Sequence, residues 1–198
     1  MRPRRSLVIL VALGAGVSLL AACSGDGNEV STGTASTTSS AEVTTTSSAP
    51  CTLAGATTDS KTVAGPTDVA LLTDVRSARQ PCADRVTFEF RTPPAYTVEY
   101  QPGPFSLGES GQNLTIDGTA FLVVTFPHAA GVDLTDPAAP STYTGPESIH
   151  PTGLTHVREI RRIEDFEGVL RWVIGLDEMR PFTAATLDGP PRVFLDIG

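Results

Sequence analysis

Arg85-Val86-Thr87-Phe88-Glu89-Phe90-Arg91 decides the fold class. Val86, Phe88 and Phe90 fall on one side of an extended chain; Arg85, Thr87, Glu89 and Arg91 fall on the other. A period of two in β-branched and aromatic residues marks a strand with one buried face. Tyr96-Thr97-Val98-Glu99-Tyr100 repeats the pattern after the Pro93-Pro94 break.

Further out the rhythm continues. Pro102-Gly103-Pro104, Asp117-Gly118, Pro127, Gly145-Pro146, Gly153, Gly168, Pro181 and Gly189-Pro190-Pro191 separate short apolar runs. Breaks at roughly eight- to twelve-residue spacing predict an all-β fold, a β-sandwich of short, mostly antiparallel strands. Asn113 to Ile116 and Ala120 to Phe126 read as a hairpin about Asp117-Gly118, a type I′ dipeptide. Phe121-Leu122-Val123-Val124 is apolar on both faces, which predicts a central strand covered on both sides. Val157 to Ile163 and Val169 to Leu176 form a second expected hairpin, with Leu170, Trp172, Ile174 and Leu176 sharing a face. Val157, Ile160 and Ile163 recur every three residues, so a short helix or a bulge is open there. Phe182 to Leu187 and Arg192 to Ile197 close the domain, and His128 to Gly153 reads as a long loop.

The first part of the chain has a different texture. Arg2, Arg4 and Arg5 precede the apolar run Leu7 to Leu20, which is short for a membrane span of about 20 residues. Residues 1–22 therefore read as a secretion signal. Leu20-Ala21-Ala22-Cys23 resembles the bacterial lipoprotein box. That resemblance implies cleavage before Cys23, lipid on its thiol and amino group, palmitate among the acyl chains, and anchoring on the extracytoplasmic face of the cell membrane. Several acyl chains hold where one does not. From Ser31 to Ala49, 13 of 19 residues are Ser or Thr, too polar to offset the entropy of ordering. Residues 23–66 are thus expected to be the lipidated cysteine plus a disordered tether, with the folded domain over 67–198. A flexible tether over 24–66 would reach about 36 Å.

With Cys23 lipidated, Cys51 and Cys82 remain as an even pair in an oxidising compartment, so a disulfide is expected. Closing that loop is worth on the order of 3–4 kcal/mol in the chain-entropy model. The formal charge of −8 argues against nucleic acid, which needs a basic footprint. The signal arginines leave with the signal, so the mature chain is more acidic still.

The set Asp84-Arg85-Val86-Thr87-Phe88-Glu89-Phe90, Tyr96 to Tyr100, Tyr143-Thr144-Gly145-Pro146, Asp165 to Leu176, Pro181-Phe182 and Pro191 to Asp196 resembles the AMIN-like domain of actinobacterial lipoproteins and secreted proteins. The resemblance covers about 68–198 and is most specific over Asp165-Phe166-Glu167-Gly168. It is distantly similar to the AMIN domain, a β-sandwich that accompanies cell-wall amidases and localises to peptidoglycan. With the lipobox and the tether, it implies a membrane-anchored, non-catalytic envelope module that binds peptidoglycan or other wall glycan or localises to the wall. The alternative is a protein-interaction lipoprotein that positions an envelope enzyme without glycan affinity.

Catalytic templates are not met. Gly108-Glu109-Ser110-Gly111-Gln112 lacks the final glycine of a nucleophile elbow. His128, His150 and His156 match no zinc spacing, and Asp133 and Asp136 lack the rest of a calcium loop. No metal, cofactor or enzymatic activity is expected.

Two constellations remain. Glu164, Asp165, Glu167, Asp177 and Glu178 gather charge on the second hairpin; a solvated hairpin end is the plain reading and a docking face the functional one. The second is Tyr96, Tyr100, Tyr143, Phe166 and Trp172: Tyr96, Tyr100 and Trp172 lie in alternating strands and read as core, while Phe166 falls in a turn, where pattern does not explain its burial. Asp165, Phe166, Glu167, Arg171 and Trp172 are the candidate ligand residues: an aromatic face to stack on a sugar ring, with carboxylate and guanidinium groups at its rim. Arg158, Arg161 and Arg162 are the basic cluster, offset by Glu159, Glu164 and Asp165.

Overall fold

The computed structural model describes residues 51–198. The expected signal peptide, Cys23 and the Ser/Thr-rich stretch lie outside the described residues. Among those described, no helix is long and apolar enough to cross a membrane.

The domain is all-β. A six-stranded sheet runs in the order β1 (Lys61–Val63), β4 (Tyr96–Tyr100), β7 (Ala120–Phe126), β11 (Val169–Leu176), β10 (Val157–Phe166), β9 (Ser148–Ile149). A five-stranded sheet runs β12 (Phe182–Leu187), β13 (Arg192–Ile197), β3 (Ala83–Phe90), β2 (Ala70–Gln80), β8 (Ala129–Ala130). Only β2 and β8 pair in parallel. The sheets pack face to face through Phe88 and Phe90 on one and Phe126 and Trp172 on the other, with ring centroids 4.9–5.9 Å apart. Edge-on aromatic contacts of this kind add to the area they bury.

Alternation does its expected work in β3 and β11. Val86, Phe88 and Phe90 are buried, as are Leu170, Trp172, Ile174 and Leu176. Strand β7 is central and covered on both faces. Leu122, Val124 and Phe126 join the main core, while Val123 meets Phe105, Ile116, Ile163 and Val173 in a second cluster. That outer cluster is capped by the ribbon of β5 (Phe105–Leu107) and β6 (Gln112–Leu114).

Two expectations need correction. The Asp117-Gly118 hairpin does not form: β6 pairs with β5, and β7 pairs with β4 and β11. The Asp117 amide instead donates to the Glu159 carboxylate at 2.8 Å. Gly118 lies so close to Leu176 that a Cβ would meet its backbone nitrogen at 2.7 Å. The glycine there answers to close approach rather than to a hairpin turn. Residues 51–66 also depart from the tether reading. Thr57 exchanges two backbone hydrogen bonds with Phe182, and Lys61–Val63 pairs with Tyr96–Val98.

The three-residue spacing of Val157, Ile160 and Ile163 is strand, not helix. A register shift between Val157 and Glu159 brings Val157 and Ile160 to the same core, and Ile163 faces the outer cluster. A bulge reproduces helical spacing in sequence.

The β10–β11 turn is Glu167-Gly168 with φ of +49° and +76°. Both central residues thus take the positive φ of a type I′ turn, which favours Asn-Gly. Glu167→Asn is expected to stabilise the domain by about 0.5–1 kcal/mol, since asparagine tolerates that region better. A urea melt checks the sign.

Candidate functional site

Strands β10 and β11 carry the candidate residues to one pole. The pole's other boundaries are the start of β2, the end of β3 and the end of β7, because Leu170 lies opposite Phe126 and Leu72 opposite Phe90. Cys51 and Cys82 are disulfide-bonded at the opposite pole, with Cα atoms 5.2 Å apart. The ten residues of β10 span the distance between poles, roughly 30 Å at the rise of a strand.

A groove of ≈ 350 Å³ opens at the Phe166 pole, lined among others by Ser110, Glu147, Arg162, Glu164, Asp165 and Phe166. Phe166 is 47% exposed, an unusual position for a large aromatic. Asp165 is a fixed wall of this groove. Both its oxygens accept from the Gly131 amide at 3.1 and 3.2 Å, and Oδ2 accepts from Arg162 at 3.0 Å. A Cβ on Gly131 would meet that Oδ2 at 2.8 Å, so the glycine permits the contact. Arg162 also donates to Glu147 at 2.6 Å and lies over the Tyr143 ring at 5.8 Å. Tyr143 donates to the Pro146 carbonyl, and burial pushes its phenol above the ordinary value. Asp165 and Arg162 thus pin the 131–147 loop to β10.

Arg171 reaches the groove through Glu164, to which it donates at 3.3 Å, and it donates to Gln101 at 3.2 Å. Glu167 is exposed on the turn. Trp172 is fully buried, tilted on Phe88 and edge-on to Tyr143, so it presents no face to a ligand. Tyr96 is fully buried too, and Tyr100 donates to the Arg180 carbonyl. Of the candidates, the pole brings Asp165, Phe166, Glu167 and Arg171 together and leaves Trp172 beneath.

The acidic set divides. Asp177 and Glu178 sit at the far end of β11, where Asp177 accepts from Arg180 at 3.0 Å and meets His156 at 3.3 Å. Burial opposes ionisation of Asp177, yet the Arg180 and His156 hydrogen bonds outweigh it and hold the carboxyl below its ordinary range.

Sequence reasoning passed over two features. Ser148 donates to the buried Glu159 at 2.6 Å and lies 3.2 Å from His150. The carboxylate accepts the serine's hydrogen bond directly, and His150 is 4.0 Å from it, so the serine–histidine–carboxylate order of a triad is not built. The second is the outer face of the five-stranded sheet, where Ala185, Phe194, Thr87 and Arg76 align across four strands. Arg85 stacks on Phe194 at 4.2 Å and forks onto Asp196 at 2.7 Å. Arg85, Thr87 and Glu89 on the polar side of the opening stretch were its signal. Among the described residues, no group of three or more His, Cys, Asp or Glu is placed to hold a metal.

Fold and pole together define a two-sheet β-sandwich with an aromatic and carboxylate groove opposite its disulfide. The family model described as the AMIN-like domain matches residues 70–198, and the chain belongs to that family. No curated protein and no solved structure matches the chain. Family membership points to a cell-wall-associated module, of a kind that is generally non-catalytic.

Proposed function

We propose that the protein is a lipid-anchored envelope module that binds wall glycan in the groove at the Phe166 pole. The half-exposed Phe166 ring beside Glu164, Glu147 and Arg162 carries this reading. A sugar ring needs an apolar face to stack on and planar polar groups for its hydroxyls, and the groove supplies both. Glu167 and Arg171 complete the rim, Arg171 by holding Glu164. Asp165 acts as a positioning residue through Gly131 and Arg162.

Full-length protein mixed with insoluble peptidoglycan is expected to sediment with it. Phe166→Ala is expected to weaken retention about tenfold, equivalent to about 1.4 kcal/mol. Wild-type protein left wholly in the supernatant at every salt concentration would sink the glycan reading.

One observation favours a protein partner instead. Beside the same turn lies a cleft of ≈ 220 Å³ lined by Val69, Leu71, Val132 and Leu134. Leu134 is 71% exposed and Val69 48%. An apolar cleft suits a protein side chain better than a hydroxylated sugar. Crosslinking that recovers a protein rather than wall fragments would select this reading.

A further inference from the structure

Residues 51–63 form a strap that lies before the matched family region. It begins at the Cys51–Cys82 bond, pairs through Thr57 with the edge of β12, and crosses to pair through Lys61–Val63 with the edge of β4. Lys61 Nζ reaches back to the Ala184 carbonyl. The strap therefore closes the open side between the two sheets.

The disulfide, backbone pairing and the Lys61 hydrogen bond hold it to the domain, with little apolar packing. Every buried member of the main core falls between Ala70 and Ile197, and from the strap only Val63 packs on that core, partly buried. The strap is otherwise mostly exposed. Little apolar area opposes its release, and a segment of that character opens at low free-energy cost. The disulfide is what keeps its first residue in place. Cys51 is exposed, and the bond lines a pocket of ≈ 210 Å³ with Arg79, His156 and Arg180. The two guanidinium groups favour a departing thiolate, and the Asp84 carboxylate on the same pocket is already engaged by three backbone amides.

We propose that Cys51–Cys82 is a reducible latch: an extracytoplasmic dithiol opens it, and the strap then leaves the edges of β4 and β12 while the sandwich stays folded. The dithiol's thiolate attacks Cys51 Sγ, forming a mixed disulfide and expelling Cys82 as the thiolate. The second thiol of the dithiol then attacks the mixed disulfide and releases Cys51. Two electrons pass to the protein, the dithiol leaves oxidised to its own disulfide, and both cysteines end reduced. The exposed strand edges then offer unpaired backbone groups to an added strand. The inference uses the envelope location and is independent of glycan binding.

Amide exchange on the full chain tests it, with and without millimolar dithiothreitol in native buffer and alkylation of the freed thiols. The Phe182 amide, which donates to Thr57, is the direct reporter. Protection at Phe182 and across Lys61–Val63 is expected to fall about tenfold or more, while Val123 and Val173 keep theirs. A Cys51→Ser/Cys82→Ser double variant is expected to show the same pattern without reductant. Three results would overturn the latch: a bond that resists dithiothreitol until denaturant is added, strap protection unchanged after reduction, or loss of protection at Val123 and Val173 as well.

Discussion

Trp172→Ala is expected to cost about 3–5 kcal/mol, the range for removing a fully buried aromatic. The indole is the largest buried side chain, wedged between Phe88 of the facing sheet and the Tyr143 ring of the 131–147 loop. Its removal leaves a cavity between the sheets and frees the loop that walls the groove. Against a typical domain stability of about 5–15 kcal/mol, that loss leaves a marginal fold. Urea denaturation measures it. Trp172→Phe is expected to recover most of the stability, because the indole nitrogen makes no hydrogen bond. The comparison separates two roles. A core residue loses stability first and glycan retention only as the fold is lost. A variant as stable as wild type that no longer sediments with peptidoglycan would return Trp172 to the ligand surface.

The case of Trp172 also shows what the sequence exposes. Its alternation with Leu170, Ile174 and Leu176 already places it inward, and the structure follows that pattern. Phe166, read from the sequence as a turn residue, is the last residue of β10 opposite Val169, and at the strand's end it is the aromatic left half-exposed. The sandwich, the β10–β11 and β12–β13 hairpins and the doubly covered β7 follow from periods of two and from turn residues. What the pattern hides is held by backbone. The strap pairs through main-chain groups and one disulfide, so its Thr-rich sequence, with Leu53 and Val63 as its large aliphatic residues, resembles a linker. Asp117-Gly118 has the composition of a turn, but its glycine is needed because the Leu176 backbone passes beside it. The bulge in β10 leaves no mark other than a false helical period. For the site, proximity of Glu147 and Gly131 to the hairpin depends on how the long loop returns, and no local pattern encodes that.

The largest polar effect is expected at Asp84, for reasons that composition conceals. It directly precedes the opening stretch, in phase with Val86, Phe88 and Phe90, and so a charged residue is fully buried at the Cys82 pole. Its Oδ2 accepts three successive backbone amides, Thr155 at 2.8 Å, His156 at 2.6 Å and Val157 at 3.0 Å. Those amides start β10, the strand that carries the groove at its other end. Asp84→Ala leaves three donors without acceptors, and each orphan costs about 1–3 kcal/mol. The summed loss is expected to exceed about 3 kcal/mol, enough to separate the start of β10 from β3. Asp84→Asn keeps one carbonyl oxygen for the same amides and is expected to lose about half as much. Oδ1 has no partner of its own among the described residues, so the asparagine forfeits charge at Oδ2 rather than a second set of bonds. Chemical denaturation of both variants gives the difference. Amide exchange locates it: fast exchange confined to Thr155, His156 and Val157 in Asp84→Ala is the expected signature. An alanine variant as stable as wild type would mean that water replaces the carboxylate, and that β10 is registered by its pairing with β11 and β9.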